Sequence, residues 1–440
     1  MDTNTGKEKE WYNLDAFAKT YSSIISEGRT TCFRLSVLLC SEIDEEVLKG
    51  ASEKLEKKYP FFNSELKRGL FWNYLQHKKT SFPVEIENTY PCTDIKKKNP
   101  LRIIFYKNKL SVEIAHFLTD GVGAAMFFKD LIREYLNKVY FSDLIKNMEN
   151  NFPNHQENDG KRGTSNPEKK SGKYEESIEK DQYTDLYAKY MKKVNKENTL
   201  KKAFHFPVEI LEKGQYYITT GEISVKDLKR ESRKYKTTIG KYLLGVYFKI
   251  LVEKYHDSKQ QIVIGVPVDL RKIYEEETYR NFFINITPSI DPSLGDYTLE
   301  EIIEYLNNYF KIKMTKKEFY KSIYKAMNPV RNVVIRNVPY IIKRLVFPFV
   351  FDYYGERGYT TGFSNLGILD LEDKYNKYIR GFRFLPPPSR RCRIKMGIIS
   401  DKEKVYVTFG NLTANHEIEK DYFVYLRKRE ICSRIITNYE

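Results

Sequence analysis

The sequence predicts a mixed α/β fold (α+β) in two domains. Three observations lead there: strand-like and helix-like segments alternate without a regular βαβ rhythm, a polar stretch divides the chain, and 41% of its 440 residues are apolar. That apolar fraction, with 15% aromatic residues, is ample for two cores.

In the first part, Cys32 to Leu39 reads as a strand. Asp44 to Lys58 has helical spacing, with Val47, Ala51 and Leu55 on one face, and Pro60 stops it. Leu70 to Gln76 reads as extended, and strands are expected at Leu101 to Tyr106 and Lys109 to His116, with Asn108 supplying the turn. From Asn147 to Gln182 large apolar side chains almost vanish. Residues such as Asn150, Asn151, Gly160, Lys161 and Gly163 cannot bury enough surface to offset the entropy of ordering, so a flexible insert is expected. The resulting division is 1–146, insert 147–182, and 183–440. Beyond the insert, strands are expected at Gln215 to Ile223, Ile262 to Val268, Arg393 to Ile399 and Lys404 to Phe409. Helices are expected at Thr238 to Tyr255, Leu299 to Lys313 and from Glu417.

The formal net charge of +16 raises nucleic acid or acidic lipid as partners. The lysines are interleaved with glutamates, as in Glu53-Lys54-Leu55-Glu56-Lys57-Lys58, and no reading motif accompanies them, so no nucleic acid is expected. Some of the cations are available for a phosphorylated co-substrate. The five cysteines are odd in number and widely spaced, without a CxxC or Cys/His cluster, which predicts reduced thiols and no metal. Met1 to Glu10 lacks an apolar core of the signal-peptide kind, and a cytoplasmic protein is the expectation. The most apolar stretch, Val338 to Tyr354, is interrupted by Lys343, Arg344, Pro348 and Asp352. It is too short for a transmembrane segment and reads as a buried or tunnel-lining element, with membrane-surface contact as the lesser alternative.

The chemically informative segment is Leu110 to Gly123. Leu110, Val112 and Ile114 share one face of the expected strand, and His116 continues that row where the strand runs out. After Asp120, the residues Val122, Ala125, Met126, Leu131, Ile132 and Tyr135 recur at helical spacing. Gly121 and Gly123 allow a close backbone approach. Asp120 stands where a carboxylate caps a helix, which is a simpler role for it than proton transfer. A lone histidine on an apolar row is commonly a core residue; the pattern His-x-x-x-Asp-Gly at a strand-to-helix junction favours chemistry.

His116, Asp120 and Gly121 match the HxxxDG signature, and the chain resembles the chloramphenicol acetyltransferase-like superfamily. That group includes peptide-synthetase condensation domains, plant BAHD acyltransferases and alcohol acetyltransferases. Further segments are similar to the alcohol acetyltransferase branch: Trp11-Tyr12-Asn13-Leu14-Asp15, Tyr59-Pro60-Phe61-Phe62, Gly69-Leu70-Phe71-Trp72, Pro267-Val268-Asp269-Leu270-Arg271, Asn281-Phe282-Phe283 and Phe363-Ser364-Asn365-Leu366-Gly367. Together they span nearly the whole chain outside the insert.

The resemblance implies two similar domains flanking a central tunnel, with His116 as general base midway along it. Acyl-CoA, acetyl-CoA in the simplest case, would be the co-substrate and a small-molecule alcohol the acceptor. It implies an ion pair between Asp120 and Arg271, and contacts to the oxyanion or tunnel from Ser364 and Asn365, a segment that also reads as a simple turn. Position 115 is Ala, so the double histidine of condensation domains is absent, and so is the DFGWG segment of the plant enzymes. Two rivals stay open: a non-catalytic binding protein that keeps the tunnel, and an N-acyltransferase or condensation-type enzyme. His77, His155, His205, His256 and His416 lack comparable context.

Overall fold

The computed structural model describes residues 11–25, 30–93, 95, 98–141, 180–192 and 201–439. Among them, strands and helices build three sheets. A five-stranded sheet runs in the order Ile379–Leu385, Cys32–Leu39, Lys109–Ala115, Leu101–Tyr106, Val84–Ile86. An eight-stranded sheet follows the path Phe283–Ile286, Ile262–Asp269, Thr361–Ile368, Ile394–Ser400, Lys404–Asn411, Tyr217–Ser224, Ser433–Thr437, with Ser289–Ile290 paired beside it. A small third sheet joins Trp11–Asn13, Tyr74–His77 and Ser64–Lys67. Pairings are mostly antiparallel, but Thr361–Ile368 lies parallel to both of its neighbours, so the eight-stranded sheet is mixed.

The strand Lys109–Ala115 is the axis of the first half, antiparallel to Cys32–Leu39 on one side and Leu101–Tyr106 on the other. Its Leu110, Val112 and Ile114 row joins Phe127, Phe128, Leu131 and Ile132 of the helix Gly121–Tyr140 in one apolar cluster. The opposite row is polar yet buried, and it is satisfied. Ser111 bonds Ser36 at 2.8 Å, and Glu113 takes both Arg34 and Arg102. A second cluster forms around the helix Ile239–Lys254 and the strand Ile262–Asp269. Helix starts follow local chemistry: Asp15, Asp44, Asp120 and Thr298 each cap the helix that follows, and Thr298 does so in a capping box with Glu301.

Several expectations need correction. The expected strand Leu70 to Gln76 begins only at Tyr74, because Leu70 to Trp72 make a turn. Leu48 joins Ala51 and Leu55 in the core, with Val47 half-buried against the same cluster, so the apolar face is wider than expected. The helix Glu417–Arg427 is followed by the strand Ser433–Thr437, which completes the sheet edge. The stretch Val338 to Tyr354 is not buried: it forms the helix Tyr340–Tyr354 with much of its apolar surface in water. Apolarity alone does not say which face packs.

Of the polar insert, 147–179 lies outside the described residues. Its end, Lys180–Tyr183, is a 3₁₀ turn whose Gln182 carbonyl accepts from the Thr278 hydroxyl at 2.7 Å. The strand Ile379–Leu385, late in the sequence, pairs with Cys32–Leu39 and so completes the first half's sheet. All five cysteines are free, and no helix among the described residues is long and apolar enough to cross a membrane.

Candidate active site

His116 follows the strand Lys109–Ala115 by one residue, where its backbone N–H leaves the ladder and donates to the Thr31 carbonyl at 2.9 Å. The imidazole is half-buried at the seam between the two halves. Tyr21 lies against it at a ring separation of 4.6 Å, Phe33 at 5.3 Å and Phe283 at 5.4 Å. Burial among these rings pushes its pKa below the ordinary 6.5, against the pull of the Asp120 carboxylate.

The polar side of the ring is fixed by a chain of hydrogen bonds. His116 Nδ1 is 3.0 Å from Asn281 Oδ1, and Asn281 Nδ2 donates to Asp15 Oδ2 at 3.0 Å. An ionised carboxylate only accepts, so Asp15 requires the amide nitrogen of Asn281 and turns its oxygen towards the histidine. The proton of a neutral imidazole therefore sits on Nδ1, and Nε2 carries the lone pair; the tautomer is assigned from this network. Asp15 is itself held in place by the Ala18 N–H at 2.8 Å, as the cap of the helix Ala16–Ile24. Burial raises its carboxyl to about 6, offset in part by the Arg280 guanidinium 3.8 Å away.

Asp120 works in two directions. One oxygen, Oδ1, accepts from the N–H groups of Val122 and Gly123 at 3.1 and 3.0 Å, capping the helix Gly121–Tyr140. The carboxylate also binds Arg271 Nη2 at 2.9 and 3.0 Å, and Oδ2 takes the Phe282 N–H at 2.8 Å. Arg271 is buried and has further acceptors in Asp269, the Thr278 carbonyl and the Arg280 carbonyl. The turn is thus tied to the segment that carries Asn281.

The glycines allow this close approach. A Cβ on Gly121 would stand 2.5 Å from Leu366 Cδ2, and one on Gly123 would stand 2.4 Å from the Tyr279 carbonyl oxygen. Leu366 belongs to the strand Thr361–Ile368, which also carries Ser364 and Asn365. Ser364 is half-buried; Asn365 is exposed, and its Oδ1 accepts from the Gly367 N–H at 2.8 Å. Neither is hydrogen-bonded to His116 among the described contacts.

His116, Asp120, Gly121 and Arg271 therefore meet at one place, with Ser364 and Asn365 on an adjoining strand. Asn281, Asp15 and Tyr21 complete the surroundings, and sequence reasoning gave none of these three a role. Asp15 carried a signal, as an Asp directly before a helix; Asn281 carried none beyond its segment. No cluster of three or more His, Cys, Asp or Glu side chains that could hold a metal occurs among the described residues.

No protein-family model matches the sequence, and no curated protein matches it. Solved structures do. The chain is similar to a trichothecene 15-O-acetyltransferase from Fusarium sporotrichioides, with TM-score 0.59 and 10% identity over 97% of this chain and 96% of that one. It is similar to TRI101 of F. graminearum, solved with coenzyme A and T-2 mycotoxin, with TM-score 0.58 and 9% identity over 97% and 99%. It is also similar to the epimerization domain of the third module of tyrocidine synthetase B, with TM-score 0.53 and 14% identity over 97% of each chain. At these identities the likeness is one of fold. The chain is thus a mixed α/β protein that shares its fold with these acetyltransferases and with this peptide-synthetase domain.

Proposed function

We propose that this chain is an acyl-CoA-dependent O-acyltransferase that moves a short acyl group, acetyl in the simplest case, to an alcohol. The observation that carries the reading is the histidine itself. His116 stands at the seam of a fold shared with acetyltransferases, its Nδ1 occupied by Asn281 and its Nε2 left as a base. Burial, which disfavours the imidazolium, keeps that base neutral at physiological pH.

In the proposed reaction the Nε2 lone pair takes the proton of the acceptor hydroxyl as its oxygen attacks the thioester carbonyl. The tetrahedral intermediate then expels the thiolate, which takes the proton back from Nε2. The products are the ester and free coenzyme A, and no acyl-enzyme forms. Ser364 and Asn365 are proposed contacts for the oxyanion or for substrate, supported by Leu366 of the same strand lying against Gly121. Asp120 and Arg271 act as positioning residues. The two units 1–146 and 183–440, with insert 147–182, would admit donor and acceptor from opposite ends of a tunnel along the seam.

Thiol release from acetyl-CoA, followed with panels of alcohols and amines, tests the reading. Replacing His116→Ala should lower alcohol-dependent release by about 10²–10⁴-fold while leaving the fold intact. No release with any acceptor, or equal release from both proteins, would refute it. A second reading, acyl transfer to an amine, has the likeness to peptide-synthetase domains in its favour. Release with amines but not alcohols would establish it.

A further inference from the structure

The helix Tyr340–Tyr354 carries apolar side chains on both its packed side and its solvent side. In a helix packed on a water-soluble core, the apolar stripe faces inward and the charges face solvent. Here Ile341, Leu345, Phe349 and Tyr353 recur every four residues, flanked by Ile342, Val346 and Val350, and all seven are between 42% and 75% exposed. The inward face holds Tyr340 and the ammonium of Lys343, with Phe347 against Trp72 and Phe351 against Tyr21. Lys343 lies 3.7 Å from the centre of the Trp72 ring and donates to the carbonyls of Phe71 at 2.9 Å and Arg336 at 3.1 Å. The preceding short helix, Val333–Asn337, adds exposed Val333 and Val334, and Leu70 is exposed in the loop that bonds Tyr340.

The border of this face is cationic. No Asp or Glu occurs from residue 331 to 350, whereas Arg336 and Arg344 are exposed there. At the far end of the helix a cleft of about 640 Å³ brings Phe349, Val350 and Tyr353 together with Lys202, Arg357 and Arg391; Asp352 also lines it. The whole chain carries +16. Apolar side chains bordered by arginine and lysine match the boundary of an anionic bilayer, where the stripe enters the acyl region and the cations meet lipid phosphates. A second copy fits poorly, because contact of this face with itself would bring two cationic borders together with no Asp or Glu from 331 to 350 to pair with Arg336 and Arg344. Fifteen residues of helix span about 22 Å, short of the roughly 30 Å of a bilayer core, so such a helix lies in the interface rather than across it.

We propose that this face docks the protein on the surface of an anionic membrane, with the helix Tyr340–Tyr354 lying in the plane of the interface. On the opposite side of the helix, Phe351 packs 6.4 Å from the ring of Tyr21, which itself lies against His116. Docking would therefore bring lipid to within about one helix diameter, roughly 10 Å, of that contact. The inference goes beyond acyl transfer and does not require it, since binding is read without turnover.

The test mixes the full chain with vesicles of phosphatidylcholine, with or without phosphatidylglycerol, and measures cosedimentation at low and high salt. Binding should be at least about tenfold tighter to the anionic vesicles and weaken with salt. Leu345→Glu with Phe349→Glu should reduce it at least tenfold with the thermal midpoint retained. Arg336→Glu with Arg344→Glu, which leaves the apolar stripe intact, should remove the preference for anionic lipid. Absence of binding to either vesicle, or binding that neither pair of substitutions alters, would overturn the proposal. So would a dimer in light scattering that the Leu345 and Phe349 substitutions dissolve.

Discussion

Two buried carboxylates lie seven residues apart, Glu113 on the central strand and Asp120 on the turn after it, and arginines hold both. Glu113 is served from its own sheet: Arg34 and Arg102 reach it from the two neighbouring strands at 2.6 and 2.9 Å, and the Cys92 N–H adds a third bond at 2.6 Å. Asp120 is served across the seam by Arg271, 151 residues away in sequence, and by the Phe282 N–H. The first cluster holds one half together. The second sets the position of one half's turn against the segment of the other that carries Asn281. Similar chemistry thus ties neighbouring strands of one sheet in one place and a turn to a distant segment in the other.

The sharpest way to break this comparison is Glu113→Gln. It leaves two buried guanidinium groups short of a charge, and should cost about 3–5 kcal/mol of stability in denaturant unfolding, with turnover per folded molecule unchanged. The pH dependence has a definite sign. Burial works to raise the Glu113 carboxyl, but Arg34 and Arg102 prevail and hold it below the ordinary value of 4.5. Its contribution is therefore present above that value and lost as pH falls below it, and the variant should lack this part of the acid destabilisation.

Asp120→Asn comes next. The amide still caps the helix but loses the ion pair, while Arg271 keeps Asp269. Stability should fall by about 3 kcal/mol or less, and turnover by up to about a hundredfold through misplacement of the site. A loss of stability with full turnover would remove the distinction between the two carboxylates.

The smallest effect is expected at Asn281→Ala, which cuts the link from Asp15 to the histidine. Loss of about one net hydrogen bond predicts a fall in turnover of roughly tenfold. With His116 as the proposed base, rate should fall as pH drops through a midpoint below 6.5, because burial disfavours the imidazolium. The Asn281 bond raises the His116 pKa, so its removal should move that limb to still lower pH. A pH–rate profile that does not move would reduce Asn281 to a packing role.

Much of the site was legible because its signals are local. His116 ends an alternating row, Asp120 stands three residues before Gly123, and Gly121 begins the helix, so a few consecutive residues define the turn. The strands Cys32–Leu39 and Leu101–Tyr106 and the helix Leu299–Lys313 were legible for the same reason. The strand Ile379–Leu385 was not, since arginines at 380 and 383 break its alternation, and it is stabilised by pairing with a strand some 340 residues earlier.

By itself, the sequence determined the elements whose periodicity and caps lie within a turn or two, and the place of one histidine at the strand-to-helix turn. Tertiary structure alone decided which groups meet that histidine. The contacts from Asn281 to His116 and from Asp15 to Asn281 join residues 165 and 266 apart, and no local pattern encodes such a pairing. It also decided that the helix Tyr340–Tyr354, apolar on both sides, leaves one of them in water, because apolarity alone does not say which side finds a partner.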